Sequence, residues 1–563
     1  MMGNLHPALV LILGAILVPF LRGRLRSVYL LALPVVSFLH LLSLPLGSYG
    51  HVALFDYTLT TVRIDKLSLV WGYIFHIAAF LTVIYALHVK EALQHVSGLI
   101  YVGAAIGAVF AGDLITLFVF WELTAIASVF LIWARGTERS YAAGMRYLII
   151  QVGSGVILLA GILIHLQQTG SIAFDHLGLH STGTLLILIA FGIKCAFPFL
   201  HNWLQDAYPE ATVTGTVFLS AFTTKLAVYA LARGYAGTEI LVYIGAAMTI
   251  FPIFYAVIEN DLRRVLAYSL NNQLGFMVVG VGVGTELAIN GAASHAFAHI
   301  LYKGLLFMSM GAVLYRTGTV KASELGGIYK SMPLTAFFCL IGAASISAFP
   351  LFSGFVTKSM TLTATAEGHY TIPWFILLFA SAGVLHHSGI KIPFYGFFGH
   401  DSGIRCKEAP PNMLLAMGLT ALLCVGIGVY PQPLYDILPY PVDFVPYTVS
   451  HVMTVLQLLV FALLAFVILA RKHLEAPEIP SVNVDTDWVY RKLLPASART
   501  FVSVGAPIRD AFIDSAKSAV AGVIARVKVH YGPGGVFART WMTGSTVMLV
   551  VFFLLGYLLL YFR

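Results

Sequence analysis

Long apolar runs of about 20 residues, parted by short polar loops, fill most of this 563-residue chain. A run of that length crosses the hydrocarbon core of a bilayer as one α-helix, because only internal hydrogen bonding satisfies the backbone there. Counting such runs predicts roughly sixteen spans, centred near residues 15, 36, 77, 103, 123, 154, 194, 222, 248, 274, 302, 350, 385, 422, 460 and 553. The loops alternate in charge. Arg22/Arg24/Arg26, Lys90, Arg135/Arg139, Arg263/Arg264, Arg316/Lys321/Lys330, Arg405/Lys407 and Arg471/Lys472 fall on one side, whereas 165–183, 365–371 and 431–447 contain no lysine or arginine. Basic loops stay in the cytoplasm. The pattern therefore predicts a multi-pass protein of the cell inner (plasma) membrane with an external N-terminus. The first run, 7–21, has no basic segment before it and is followed at once by three arginines, which fits a retained helix better than a cleaved signal.

Three stretches break the helical pattern. Residues 51–67 alternate with period two and are rich in β-branched and aromatic side chains, predicting a short external hairpin before Asp65-Lys66. A polar stretch at 475–487 follows the fifteenth span. Downstream of Pro507, Ile508, Phe512, Ala516, Val520, Val523 and Val527 share one helical face, with Arg509, Asp510, Lys517 and Lys528 elsewhere. Such a helix lies along the membrane surface or against neighbouring subunits.

An internal echo joins two spans. Ala196-Phe197-Pro198-Phe199-Leu200 returns as Ala348-Phe349-Pro350-Leu351-Phe352, five spans later. An odd offset makes the copies cross in opposite directions, as in inverted repeats with discontinuous helices. Proline has no N–H, so Pro198 is expected to free the carbonyl of Lys194 and Pro350 that of Ile346.

The ionisable residues within these runs narrow the function. A charge at membrane depth costs roughly 3 kcal/mol or more, yet Glu122, Lys194, Lys225, His295, His299, Lys303, Lys358 and Lys391 all lie inside apolar stretches. A row of this kind reads as a proton or ion path. Glu122 beside a lysine would form a pair able to switch a neighbour's proton, or else a salt bridge tying two helices. His295, His299 and Lys303 stand at i, i+4 and i+8, a ladder on one helical face. Chelation of a metal by the two histidines lacks a third ligand or an HExxH glutamate. Lys391, with His386 and His387 upstream, reads equally as a relay group or as a side chain snorkelling to the interface.

Composition supports this and excludes alternatives. Hydrophobic residues make up 59% and charged ones 10%, against about a quarter charged in soluble domains. The net charge of +8 sits in loops between spans, which marks membrane orientation rather than a nucleic-acid surface. Cys195, Cys339, Cys406 and Cys424 show no metal or haem spacing, and the glycine run 280–284 lacks a P-loop lysine. No cofactor, metal or redox catalysis is indicated. Buried lysines outnumber deep carboxylates, so some lysines must be neutral part of the time or meet acidic groups from elsewhere.

At these motifs the chain resembles the antiporter-like subunits of respiratory complex I and of Mrp-type Na+/H+ antiporters, most closely the D-type Mrp subunits. The residues that carry the resemblance are Trp121-Glu122; Phe191-Gly192-Ile193-Lys194 with Pro198; Trp203 to Ala207 and Pro209-Glu210-Ala211; Lys225; Asp261 to Ser269; and His295 to Lys303 followed by Gly304-Leu305-Leu306-Phe307. It covers about residues 60 to 400. The resemblance implies an all-α polytopic core of about fourteen helices, with two inverted five-helix repeats, broken helices and a lateral polar axis. It divides the chain into N-terminal helices with the hairpin (1–92), a first repeat (93–258), a second, inverted repeat (259–400), C-terminal helices (401–474), and a lateral amphipathic segment with a last transmembrane helix (475–563). It implies that Glu122 and Lys194 interact, that Lys225 bridges, that the histidine ladder connects, and that Lys358 is the exit-side lysine. Two features depart from the pattern: Asn271-Asn272-Gln273 replaces the usual small and serine residues, and the extension past about residue 470 is absent from short D-type chains. The expected function is a proton-translocating component of a hetero-oligomeric membrane complex, moving protons and Na+ or K+. The alternatives are a pumping component of a complex I-like, hydrogenase or inorganic-carbon uptake complex, in which case it belongs to a translocase, and a structural component with an idle axis.

Overall fold

A computed structural model describes residues 6–472, 478–479 and 483–563. It separates two compact units, Met1–Asn483 and Val484–Arg563; the expected boundary at 474/475 lies outside the described residues. In the first unit α1 (Pro7–Ala15) and α2 (Gly23–Ser43) precede a hairpin of β1 (Gly47–Leu54) and β2 (Tyr57–Ile64). Then come α3 (Lys66–Ala86), α4 (Ala92–Phe110), α5 (Leu114–Trp133), α6 (Glu138–Thr169), α7 (Thr182–Cys195), α8 (Asn202–Ala207), α9 (Val213–Ala221), α10 (Thr223–Gly234), α11 (Ile240–Ile258), α12 (Leu262–Val283), α13 (Glu286–Thr317), α14 (Pro333–Ile346), α15 (Ser353–Glu367) and α16 (Thr371–Val384). The last continues through π-helical turns, Leu385–Ile390 and Phe394–Phe398, on either side of α17 (Lys391–Pro393). The unit closes with α18 (Pro411–Val429), α19 (Gln432–Tyr435) and α20 (Val449–Arg471).

Among the described residues twelve helices are long and apolar enough to cross a membrane. The other expected spans are the shorter apolar helices Pro7–Phe20, Thr182–Cys195 and Pro333–Ile346, and α12, whose polar residues Arg263, Arg264 and 271–273 dilute its hydropathy. The expected centres near 222 and 350 fall in breaks between half-helices. The helices begin where capping side chains meet the free N–H groups of the first turn: Asp113 accepts from Thr116 N at 2.7 Å, Asp261 from Arg263 N and Arg264 N at 2.9 and 3.1 Å, and Thr137 and Ser181 form capping boxes. The central helix is α13, buried along nearly its whole length and packed on α12, α14, α15, α9, α18 and α3.

The sequence echo is a repeated backbone event. Ala196 and Phe199 have φ of 63° and 69°, and their counterparts Ala348 and Leu351 have 57° and 75°. The hydrogen bonds also repeat: Ala196 N to Ile193 O, Phe197 N to Gly192 O and Leu200 N to Phe197 O match Ala348 N to Ser345 O, Phe349 N to Ala344 O and Phe352 N to Phe349 O. This is a helix end of the Schellman kind with alanine in the left-handed region, a conformation that costs roughly 1–2 kcal/mol without glycine. The helix is thus already ended two residues before each proline. Pro198 is not the breaker expected from sequence, since Ala196 turns the chain first.

The hairpin starts four residues earlier than expected, at Gly47, pairing Gly47 with Ile64 and Leu54 with Tyr57. It is moored to the start of α5, where Gly112 N donates to Thr60 O at 3.0 Å and Thr60 N donates to Asp113 Oδ2 at 2.9 Å. Just beyond it, Asp65 caps α3 and accepts from Arg233 Nη2 through both carboxylate oxygens at 2.8 Å. Partial burial raises the Asp65 carboxyl, but Arg233 and the Ser68 N–H more than offset this and hold it below its ordinary value. A carboxylate depressed in the folded state stabilises above its unfolded pKa of about 3.9 and loses that contribution as pH falls further. Asp65→Asn is therefore expected to lower the thermal midpoint in detergent at pH 7, and the gap from the parent is expected to close below about pH 4. A gap that persists or widens in acid would refute this.

In the second unit, α21 (Leu494–Tyr531) is one helix of 38 residues, about 57 Å at 1.5 Å per residue. The amphipathic segment expected downstream of Pro507 begins earlier, at Leu494, because the proline removes one backbone bond without ending the helix. Its residues are exposed, as are those of the apolar α22 (Thr543–Tyr561).

Candidate functional site

The predicted ionisable residues lie on helices α5, α7, α10, α13, α15 and α17 of the first unit. Lys194, Lys225, His295, His299 and Lys303 have no exposed surface, and Lys358 and Lys391 retain 2% and 1%.

At one end, Lys194 occupies the last turn of α7. Its Nζ donates to Trp121 O and to Thr124 Oγ1, both at 2.7 Å, and stands 4.3 Å from the Trp121 ring centroid, a cation–π geometry. Trp121 is fixed in turn by its Nε1 donating to Ser154 Oγ on α6. Glu122 follows on α5 with Oε1 buried and without a hydrogen-bond partner among the described residues. Carboxylate and ammonium are within electrostatic reach of one another but not in contact. Space for the carboxylate comes from Gly155 on α6, where an added Cβ would lie 1.5 Å from Oε1. The pair expected from sequence is thus held apart, with Lys194 bonded to the backbone of the neighbouring residue.

Helix breaks accompany three of the lysines. After α7, Trp203 Nε1 donates to Ile193 O at 2.9 Å and Asn271 Nδ2 to Ala196 O at 3.2 Å. Lys225 follows a break at Phe222 between α9 and α10 that neither proline nor glycine announces. There Tyr101 Oη accepts from Thr223 N at 2.9 Å, and Lys225 Nζ donates to Ser220 O at 2.6 Å. Lys358 follows the break between α14 and α15 and donates to Ile346 O at 3.1 Å. That is the carbonyl expected to be freed, and a lysine bonds it.

The ladder on α13 is continuous in space but not in hydrogen bonds. The rings of His295 and His299 lie 6.2 Å apart. His295 instead joins Thr357 Oγ1 through Nδ1 at 3.2 Å and Tyr302 Oη through Nε2 at 3.4 Å. Tyr302 donates to Gln273 Oε1 at 3.1 Å, and Gln273 Nε2 to Asn272 Oδ1 at 2.6 Å. Both nitrogens of His299 and the Nζ of Lys303 have no hydrogen-bond partner among the described residues. At membrane depth such groups need water. Lys225, Lys303 and Lys358 lie within electrostatic reach of His299, so these three lysines and the ladder form one connected array, with the Glu122/Lys194 pair as a separate group beside it. Beside Lys358 a cavity of about 40 Å³ is lined by Ser347, Ser359, Ser381, His451 and Thr454 among others.

Sequence reasoning missed Thr124, Tyr302, Thr357 and the polar triplet as members of this network. The triplet had a visible signal, three amides inside an apolar span. The other three are single polar residues with no distinguishing spacing.

A bundle with paired broken helices and a buried lysine–histidine row defines a class of ion-translocating membrane proteins, and comparison with known proteins specifies it. The family model described as "NADH:quinone oxidoreductase/Mrp antiporter, TM" matches residues 111–394, and the chain belongs to this family. The D-type subunit of the Na(+)/H(+) antiporter of Alkalihalophilus pseudofirmus is 30% identical over 354 residues, 59% of this chain and 71% of that protein. The A-type subunit from the same organism is 29% identical over 485 residues, 74% of this chain, which spans 60% of its length. The fold is that of a chain of the Mrp complex from Dietzia sp. DQ12-45-1b, with a TM-score of 0.66 at 22% identity over 77% of this chain and 91% of that one.

Proposed function

We propose that this chain is a proton-translocating, antiporter-like component of a multisubunit inner-membrane complex, the D-type subunit of a Mrp-type Na+/H+ antiporter. The observation that carries this is the buried row itself: five lysines with no exposed surface or almost none, Lys225, Lys303 and Lys358 in reach of His299 and Lys194 in reach of Glu122, with helix breaks beside three of the five. Buried ammonium groups of this kind persist only where their protonation is poised to change or a counter-ion approaches. In the cycle, Glu122 closes on Lys194 and holds its proton. When the carboxylate withdraws toward Gly155, Lys194 keeps only neutral partners, and its proton passes toward Lys225. From there Lys303 and the histidines carry it to Lys358, where it exchanges through the serine-lined cavity. The basic loops support an external N-terminus, and the matching breaks at 196–200 and 348–352 support the repeat boundaries 93–258 and 259–400. The partners are the other membrane subunits and the lipid around them, and the transported ions are H+ with Na+ or K+.

The test uses inside-out vesicles from a strain carrying Glu122→Gln in its chromosomal copy, so that native partners are retained. Proton efflux on adding NaCl or KCl is followed with a pH-sensitive dye. Exchange is expected to fall to background while the complex stays intact on native gels. Normal exchange in the variant would sink this reading, whereas cation-independent proton movement lost in the same variant would point to the complex I-like alternative.

A further inference from the structure

Lys391 stands apart from the proposed path, and the structure supplies it with a partner that hydropathy places outside the membrane. Glu478 lies beyond α20, and its Oε1 sits 2.7 Å from Lys391 Nζ. The Lys391 and Glu478 side chains are 1% and 9% exposed, respectively. Lys391 Nζ also donates to Val257 O at the end of α11, at 2.6 Å. The second carboxylate oxygen, Glu478 Oε2, is buried and has no hydrogen-bond partner among the described residues. Close by, Glu259 accepts from Asn483 Nδ2 at 3.1 Å and faces Arg264 at 3.9 Å.

On its inner side Lys391 continues into a polar thread. His386 and His387 are within its electrostatic reach, and His387 is also within reach of Lys303. The His387 Nδ1 meets Ser388 Oγ at 2.8 Å, and Ser388 donates to Ser269 Oγ on α12 at 2.7 Å. Ser269 is one turn from Gln273. His386, His387 and Ser388 sit in the π-helical turn that precedes α17, an irregularity common at functional sites.

We propose that Glu478 and Lys391 form a second carboxylate–lysine switch, a proton port between the basic-loop side of the membrane and the histidine–serine thread that leads to Lys303. This rests on the function proposed above and adds an inlet to it. With Glu478 ionised, the pair is closed and Lys391 keeps its proton. A proton arriving at Oε2 neutralises the carboxylate and removes its charge from beside Lys391, which passes its own proton to Nε2 of His387. The neutral amine then takes the proton from the Glu478 carboxyl and restores the ion pair. One proton has moved inward and both port groups have returned to their starting charge. Burial favours this exchange: it holds the Glu478 carboxyl above the usual carboxylate range against the opposing pull of Lys391, and nearby Glu259 adds to the rise.

The decisive variant is Lys391→Arg in the chromosomal copy, since arginine keeps the ion pair but does not release a proton. Exchange with NaCl or KCl in inside-out vesicles is expected to fall at least tenfold with Lys391→Arg and with Glu478→Gln, and to stay within threefold of the parent with Glu478→Asp, all at parental complex abundance on native gels. Parental exchange with Lys391→Arg overturns the port, whatever Glu478→Gln does, because the pair is then only a structural tie. Loss of the complex from the membrane with Lys391→Arg overturns it equally. Glu122→Gln in the same vesicles separates the two readings: if it abolishes exchange while Lys391→Arg does not, the port fails and the axis stands, and if neither variant changes exchange, both fail.

Discussion

Replacing Lys194 by alanine is expected to reduce cation-driven proton exchange by two orders of magnitude or more, about what a positioned proton carrier contributes, with the complex still assembled. Lys194 is fully buried, and its ammonium is fixed by two 2.7 Å hydrogen bonds and the face of Trp121. It is the nearest cation to Glu122 and the start of the row. Lys194→Arg should fail as well, since arginine stays charged. Lys194→Met fills the same space and isolates the lost proton from the lost packing. Alanine leaves Trp121 O and Thr124 Oγ1 without their charged donor, a cost of about 1–3 kcal/mol, while the bonds from Trp203 Nε1 to Ile193 O and from Tyr235 Oη to Thr184 O still hold α7 in place. The measurement is the initial rate of dye response in inside-out vesicles, normalised to complex abundance. A parental rate in the methionine variant would remove Lys194 from the path.

The second large effect concerns packing. Gly275→Val is expected to cut the yield of monodisperse protein severalfold, because α11 and α12 approach with their backbones in contact. A Cβ at 275 would lie 2.5 Å from Gly245 O and 2.7 Å from Thr249 N. Gly245 and Gly282 face the opposite helix in the same way, with added Cβ atoms 2.6 Å from Val279 N and 2.5 Å from Val242 N. Backbone atoms cannot rotate aside as a side-chain tip can, so the penalty reaches or exceeds the upper end of the about 1–3 kcal/mol typical of overpacking. Close approach through small residues is how transmembrane helices gain van der Waals contact where no hydrophobic effect separates helix from lipid. Gly426 on α18 meets nothing within 4 Å, and Gly426→Val should leave the yield unchanged. Equal yields from the two variants, by size-exclusion chromatography in detergent, would contradict this.

How far the site was legible depended on what each residue type costs at depth. Lysine and glutamate in an apolar run have few inexpensive explanations, so the row from Glu122 to Lys391 stood out. Serine, threonine and tyrosine carry no comparable penalty, because they can bond the backbone of their own helix, as Ser359 does to Phe355 O and Thr365 to Thr361 O. Thr357 and Tyr302 are therefore indistinguishable from background until His295 is seen between them. The break at Phe222 was equally silent. It is held open by Tyr101, 122 residues away along the chain, and no local pattern records such a partner.

By itself the sequence determined the place of the apolar helices, their alternating basic loops, the hairpin, the paired echo at 196–200 and 348–352, and which charged residues fall inside apolar stretches. Each follows from transfer free energy or local backbone preference, which depend on a residue and its near neighbours. Only the tertiary structure decided who meets whom: that Glu122 lies across from a glycine on α6, that Lys194 is held by Trp121 and Thr124 rather than by the carboxylate, that Lys225 and Lys358 bond carbonyls left by helix breaks, and that Glu478 returns to Lys391. Hydropathy alone leaves a surplus of buried positive charge with no acid to balance it. Part of the balance comes from a carboxylate 87 residues further on, brought back by the path of the chain, because electrostatic partners are chosen by distance in space and hydropathy is read along the chain.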